Sequence, residues 1–160
     1  DNGITVATHL FNAMSGFLHR EPGMVGALFN HPRAMSSIIV DGYHVNYHAV
    51  KSAKKIMGDR LFCITDAVTT TNSGFYKHVL VGDKYESDGT LSGSALTQLK
   101  SVQNLVEHVG VDFEEAIKMC CVYPARVMQK KEMSGSIQIG ETAALICLND
   151  SKELLKIVAS

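Results

Sequence analysis

No run of apolar residues in this sequence approaches the roughly 20 needed to cross a bilayer as a helix, so no membrane-spanning helix is expected. Neither sign of charge is in excess. Fifteen Lys and Arg stand against sixteen Asp and Glu, for a formal net charge of −1. That balance gives no support to partnership with nucleic acid or an anionic membrane surface. Cysteine is scarce: Cys63, Cys120, Cys121 and Cys147 are the only four, and none forms a CxxC. They read as small buried side chains in a reducing compartment, the cytoplasm. HxH, HExxH and GxxxxGK are also missing, so no local motif supplies a whole metal site or a phosphate loop. The opening DNGITVATHL has neither an initiating methionine nor a basic signal-peptide region.

The composition that remains is that of a folded domain. Of 160 residues, 46% are hydrophobic and 19% charged, enough for a real core and against disorder. The chain enters a strand within three residues, and its final LLKIVAS looks like a strand cut short, so it is expected to be part of something longer.

One pattern occurs three times. Ile4–Thr8 is a short apolar run that ends at His9. Met35–Val40 ends at Asp41–Gly42–Tyr43–His44, and Leu61–Thr65 ends at Asp66. Helices are expected between these runs, over Gly23–Phe29 and over Tyr47–Met57, with Val50, Ala53 and Ile56 facing inward. Near-continuous apolar strands suit a parallel sheet covered by helices, and α/β barrels carry their chemistry at the carboxyl ends of such strands. The expected class is therefore α/β.

Beyond Asp66 the pattern changes. Tyr76–Tyr85 reads as extended, with a turn at Gly82–Asp83, and DGTLSGS (88–94) reads as a small-residue loop. A helix is expected over Ala95–Val109, buried through Leu96, Leu99, Val102, Leu105 and Val106. Another is expected over Phe113–Cys121, capped by Asp112 with Glu115 as its reciprocal partner. Pro124 is expected to open a short helix through Met128. IQIG and TAALICLN read as late strands.

Each candidate residue also has an ordinary structural role open to it. His9 and His44 could satisfy their ring nitrogens locally, and Asp66 could merely cap the next segment. Arg20, in REPG, could form a solvated pair with Glu21. His19, His31, His48, His78 and His108 have no distinguishing setting. Together, however, a neutral histidine suits a borderline metal such as zinc, and a nearby carboxylate can carry a proton to and from an activated water. An arginine fork suits a phosphate or carboxylate.

In their order and spacing, THLFNAM, REPG, DGYH, ITDA, DGTLSGS and YPAR resemble the N-acetylglucosamine-6-phosphate deacetylases of the amidohydrolase superfamily. The resemblance runs through essentially the whole chain. It implies the C-terminal portion of a protein more than twice as long: about strands 6–8 of a TIM-like (β/α)8 barrel over residues 1–133. Residues 134–160 would then be terminal strands of a small β-sandwich domain. It implies His9 as a metal ligand and Asp66 as the catalytic general base and acid. Asn12, Ala13, Arg20, His44, Leu91 and Ser92 are implied as substrate contacts, with Arg20 reaching the neighbouring site of a homodimer.

The implied reaction releases acetate and glucosamine 6-phosphate by attack of a metal-activated water on the acetamide. The metal would be divalent, zinc first and iron as the alternative. Its other ligands, a glutamate and a second histidine, lie outside this sequence, as does the histidine expected to polarise the carbonyl. The 160 residues alone are therefore expected to be inactive. Where the family has an acidic residue in its late strand motif, this chain has Ala143 and Ala144, a departure in the small domain rather than at the chemistry. The rival readings are a dihydroorotase-like cyclic amidase and a non-catalytic module.

Overall fold

The computed structural model of the chain describes residues 3–74, 77–129, 135–140, 142 and 144–159. The expected extended stretch begins at Tyr76, and the expected domain boundary falls at 133/134; both positions lie outside the described residues.

The three apolar runs form one parallel sheet, in the order β1 (Val6–Ala7), β2 (Met35–Ile39), β3 (Leu61–Ile64). Register runs Ala7 opposite Ser36 and Ile39 opposite Ile64. Central β2 has neighbours on both sides, so Ile38 and Ile39 are fully buried, whereas edge residue Val6 is 37% exposed. Among the described residues the sheet stays open and does not close into a barrel.

Helices α1 (Gly23–Asn30) and α2 (Tyr47–Met57) connect the strands. The bounds of α2 are those expected, because Asn46 caps it by accepting from the His48 amide and Gly58 ends it at positive φ. Val50, Ala53 and Met57 face the core; Ile56, expected inside, is half exposed. Arg60 donates to the carbonyls of Leu28 (3.1 Å) and Ala34 (2.9 Å), tying α1 to the start of β2.

The stretch after Asp66 departs from expectation. Instead of a loop, DGTLSGS forms the turn Asp88–Gly89 and strand β6 (Thr90–Ser94), paired antiparallel with β5 (Lys84–Ser87), which pairs with β4 (Val79–Val81). Both turn residues have positive φ, the conformation that suits a two-residue hairpin. Small side chains make a weak strand signal, and here backbone pairing with β5 supplies what propensity lacks.

Helix α3 begins at Gln98, not Ala95, because Ser94 belongs to the sheet and its Oγ takes the Leu96 amide at 3.1 Å. It continues as a wide π turn over Leu105–Val109. Helix α4 (Phe113–Cys120) starts at the expected Asp112 cap. Helix α5 (Val122–Met128) opens two residues before Pro124. Buried Met119, Leu105 and Leu61 join these helices to the sheet in one core. Cys63 and Cys120 are buried as expected, but Cys121 and Cys147 are exposed. At the end of the chain, β7 (Ala144–Leu148) pairs antiparallel with β8 (Leu154–Ala159), while IQIG forms no strand.

Glu115 does not close a capping box. Its carboxylate instead takes Lys54 Nζ and the Tyr123 hydroxyl, the latter at 2.9 Å, fastening α4 to α2 and α5. Desolvation pushes this carboxyl up, but the bonds from Lys54 and Tyr123 and the nearby positive charges outweigh it, so it titrates below its ordinary 4.5. Burial, and after it the bond to Glu115, push Tyr123 up to about 12. A depressed carboxylate stabilises the fold above its unfolded pKa, and that contribution is lost as pH falls through the folded value. Glu115→Gln should therefore lower the thermal midpoint at neutral pH, with the gap from the parent narrowing as pH drops below 4.5. Melting curves across pH check this; a gap independent of pH would contradict it.

Candidate active site at the carboxyl edge of the parallel sheet

His9 follows β1, Asp41 to His44 follow β2 and Asp66 follows β3, so three neighbouring strands deliver polar residues to one edge. The backbone there is unusual. His9 (φ +36°), Phe11 (+77°), Ala13 (+53°) and Asp66 (+48°) all adopt left-handed conformations without being glycine. Such residues cost on the order of 1–3 kcal/mol each and cluster at functional sites.

Bonds to β2 and bonds within the turn together hold the strained segment after β1. The His9 amide donates to Ser37 Oγ at 2.8 Å, and the Leu10 amide donates to the Ser37 carbonyl at 2.8 Å. The Asn12 amide closes a turn onto the His9 carbonyl at 2.9 Å. His9 Nδ1 lies 3.0 Å from the Asn12 carbonyl oxygen. A carbonyl only accepts, so Nδ1 carries the proton, and Nε2 of the neutral ring keeps its lone pair free. That arrangement, one ring nitrogen on a carbonyl and the other open, is the one metal-binding histidines use. The Asn12 amide group donates to the Leu10 carbonyl at 3.3 Å. Ala13 is exposed, as is Arg20 farther along, and no ion pair joins Arg20 to Glu21 among the described residues.

After β2, the Asp41 carboxylate organises its own loop. Oδ1 accepts the amides of Tyr43 (2.9 Å) and His44 (2.8 Å), and Oδ2 lies 2.6 Å from His44 Nδ1. Burial pushes this carboxyl up, but the His44 ring and the two amides prevail, holding it below the usual aspartate value. Gly42, at φ +81°, sits where a Cβ would come within 2.9 Å of the Tyr47 ring. That ring in turn stacks on His108 at 4.7 Å. The Asn104 side-chain amide donates to the Val40 carbonyl at 2.7 Å, fixing the strand end just before Asp41.

After β3, strand β6 returns to the same edge. The Ser94 amide donates to the Asp66 carbonyl at 3.2 Å, and its hydroxyl donates to the Thr65 carbonyl. Gly93 lets β6 close in, since a Cβ there would lie 2.6 Å from Val68. The Asp66 backbone is thus held on both sides while its exposed carboxylate has no hydrogen-bond partner among the described residues. Leu91 and Ser92, half-buried on β6, lie two or three residues from that anchor; Ser92 Oγ is 2.9 Å from His78 Nδ1.

The strand ends thus bring His9, His44 and Asp66 to one edge, with no hydrogen bond among their side chains. Arg20 stands apart in an exposed bend. Among the described residues no group of three or more His, Cys, Asp or Glu side chains is placed to hold a metal. Asp41 and His78 are the polar partners that spacing did not single out. For Asp41 the available signal was the DGYH spacing itself, an Asx turn whose third following residue is a histidine.

Polar residues delivered to the carboxyl ends of neighbouring parallel strands lie where α/β enzymes carry their chemistry. The amidohydrolase family profile matches residues 1–159, and the chain belongs to that family. It is 34% identical over 169 residues to the N-acetylglucosamine-6-phosphate deacetylase of Haemophilus influenzae, covering 99% of this chain and 44% of that protein. It is 33% identical over 165 residues to the N-acetylgalactosamine-6-phosphate deacetylase of Escherichia coli O157:H7, covering 98% and 44%. The crystal structure of N-acetylglucosamine-6-phosphate deacetylase from Pasteurella multocida superposes with a TM-score of 0.89 at 34% identity, over 97% of this chain and 43% of that one. The chain thus spans less than half the length of these relatives.

Proposed function

We propose that this chain is the C-terminal part of a metal-dependent deacetylase that hydrolyses N-acetylglucosamine 6-phosphate to glucosamine 6-phosphate and acetate. The observation that carries this reading is the convergence of His9, the Asp41–His44 pair and Asp66 on one edge of a parallel sheet, in a chain similar throughout to such deacetylases. The sheet would be part of a (β/α)8 barrel, with β1 to β3 as its sixth to eighth strands. Residues 134–160 would belong to a small β-sandwich domain.

His9 has the free Nε2 that a metal ligand requires, and the donor set of imidazole and carboxylate suits zinc, or iron. When bound, such a metal lowers the pKa of a nearby water and polarises a carbonyl. The remaining ligands would come from chain outside these 160 residues. Asp66, ionised at the start, takes the proton of the attacking water and then returns it to the departing amine nitrogen. Asn12, Ala13 and Arg20 hold the phosphate, while His44, Leu91 and Ser92 contact the sugar. Binding energy from the unreactive phosphate then orients the amide.

Arg20 lies in an exposed loop beside Phe17 and Leu18, 57% and 60% exposed, and near Met24, 50% exposed. Exposed apolar side chains a few residues from Arg20 in sequence support a homodimer in which Arg20 reaches its partner's site. Sugar phosphates do not cross membranes unaided, which favours the cytoplasm. No helix among the described residues is long and apolar enough to cross a membrane.

Arg20→Ala in the full-length protein should raise KM for the 6-phosphate about 10- to 100-fold, the worth of a charge-assisted hydrogen bond. It should leave the unphosphorylated sugar's kcat/KM unchanged. Steady-state kinetics on both sugars test the assignment; equal losses on the two would remove the phosphate role.

A further inference from the structure

We infer that Asp41 is a positioning residue that fixes which nitrogen of His44 faces the sugar; the inference rests on the substrate role proposed for His44. Both oxygens of Asp41 are engaged inside its own loop, Oδ1 by the Tyr43 and His44 amides and Oδ2 by His44 Nδ1. Its side chain is only 4% exposed, and that of His44 is 9% exposed. Asp41 therefore has no accessible oxygen to offer a ligand, and it acts through the ring it holds.

A carboxylate cannot donate, so the proton of neutral His44 resides on Nδ1. Nε2 then carries the lone pair. It has no hydrogen-bond partner among the described residues, so it is available to accept a hydroxyl proton from the sugar. Three supports make the loop rigid enough to keep this orientation: Asn104 on the Val40 carbonyl, the two amides on Oδ1, and the Tyr47 ring packed over Gly42. An ion pair alone would not need this apparatus, because an imidazolium satisfies a carboxylate through either nitrogen. The loop geometry selects one.

Asp41→Asn separates orientation from folding. An asparagine Oδ1 still accepts both amides, but its NH2 group replaces Oδ2 and donates to His44 Nδ1. The ring proton must then move to Nε2, turning the acceptor that faces the sugar into a donor. In the full-length, metal-loaded protein, 15N NMR of labelled histidine should show His44 as the Nδ1–H tautomer in the parent and the Nε2–H tautomer in Asp41→Asn. Deacetylation kcat/KM should fall about 10- to 100-fold, as for loss of one well-oriented hydrogen bond.

A parent ring already protonated at Nε2, or one that keeps its Nδ1 proton in the variant, would overturn the inference. A switched tautomer with unchanged kcat/KM would do so too. Should Asp41→Asn fail to fold, the parent spectrum alone still decides the tautomer. Should the parent release no acetate, the deacetylase reading fails, and the ring signals still report what Asp41 does.

Discussion

Asp66→Asn in the full-length protein is expected to lower kcat about 10²- to 10⁴-fold, the usual contribution of a general acid–base group. The substrate dissociation constant should stay within a few-fold of the parent's. The fold gives a reason to expect so clean a separation. Asp66 is held through its backbone, by the Ser94 amide on its carbonyl, and its carboxylate has no hydrogen-bond partner among the described residues. Removing the charge therefore breaks no structural contact. Asparagine also tolerates φ +48° better than most residues, so stability should not suffer. Single-turnover kinetics with calorimetric binding checks both halves of the expectation. A variant that keeps a tenth or more of the parent kcat would remove Asp66 from the proton path.

The second large effect is expected at His9. His9→Asn keeps a residue suited to the left-handed backbone at φ +36° but loses the directional nitrogen donor. Metal affinity should drop by more than about 100-fold, beyond the 10- to 100-fold typical for a supporting residue. Elemental analysis after dialysis, alongside the melting curve, reads this directly. Stoichiometric metal in a folded His9→Asn variant would show that the metal is held without this strand end.

Much of this edge is legible in the sequence. Three apolar runs ending in His9, Asp41 and Asp66 announced parallel strands with polar carboxyl ends, because a strand buried on both faces leaves no alternation to hide them. The bounds of α2 agree with its apolar spacing because the local caps Asn46 and Gly58 act where that spacing ends, and tertiary structure does not override them. Where expectation and structure part, long-range contacts decide. Thr90–Ser94 became a strand through pairing with β5 and the hold of Ser94 on Thr65 and Asp66. Glu115 left its cap for Lys54, on a helix far away in sequence, and for Tyr123 on the following helix. From the sequence Asp41 reads only as the polar end of an apolar run. Its grip on His44 depends on where the ring swings, and residue spacing alone does not fix that.

Amide hydrolysis on a phosphorylated amino sugar is the function proposed for this segment. The most direct test supplies the metal-loaded full-length protein with N-acetylglucosamine 6-phosphate, its unphosphorylated counterpart and a cyclic amide such as dihydroorotate, and measures acetate release and ring opening. The proposed function requires acetate from the 6-phosphate, far slower release from the free sugar and no ring opening. Ring opening of the cyclic amide with no acetate from the phosphosugar would contradict it.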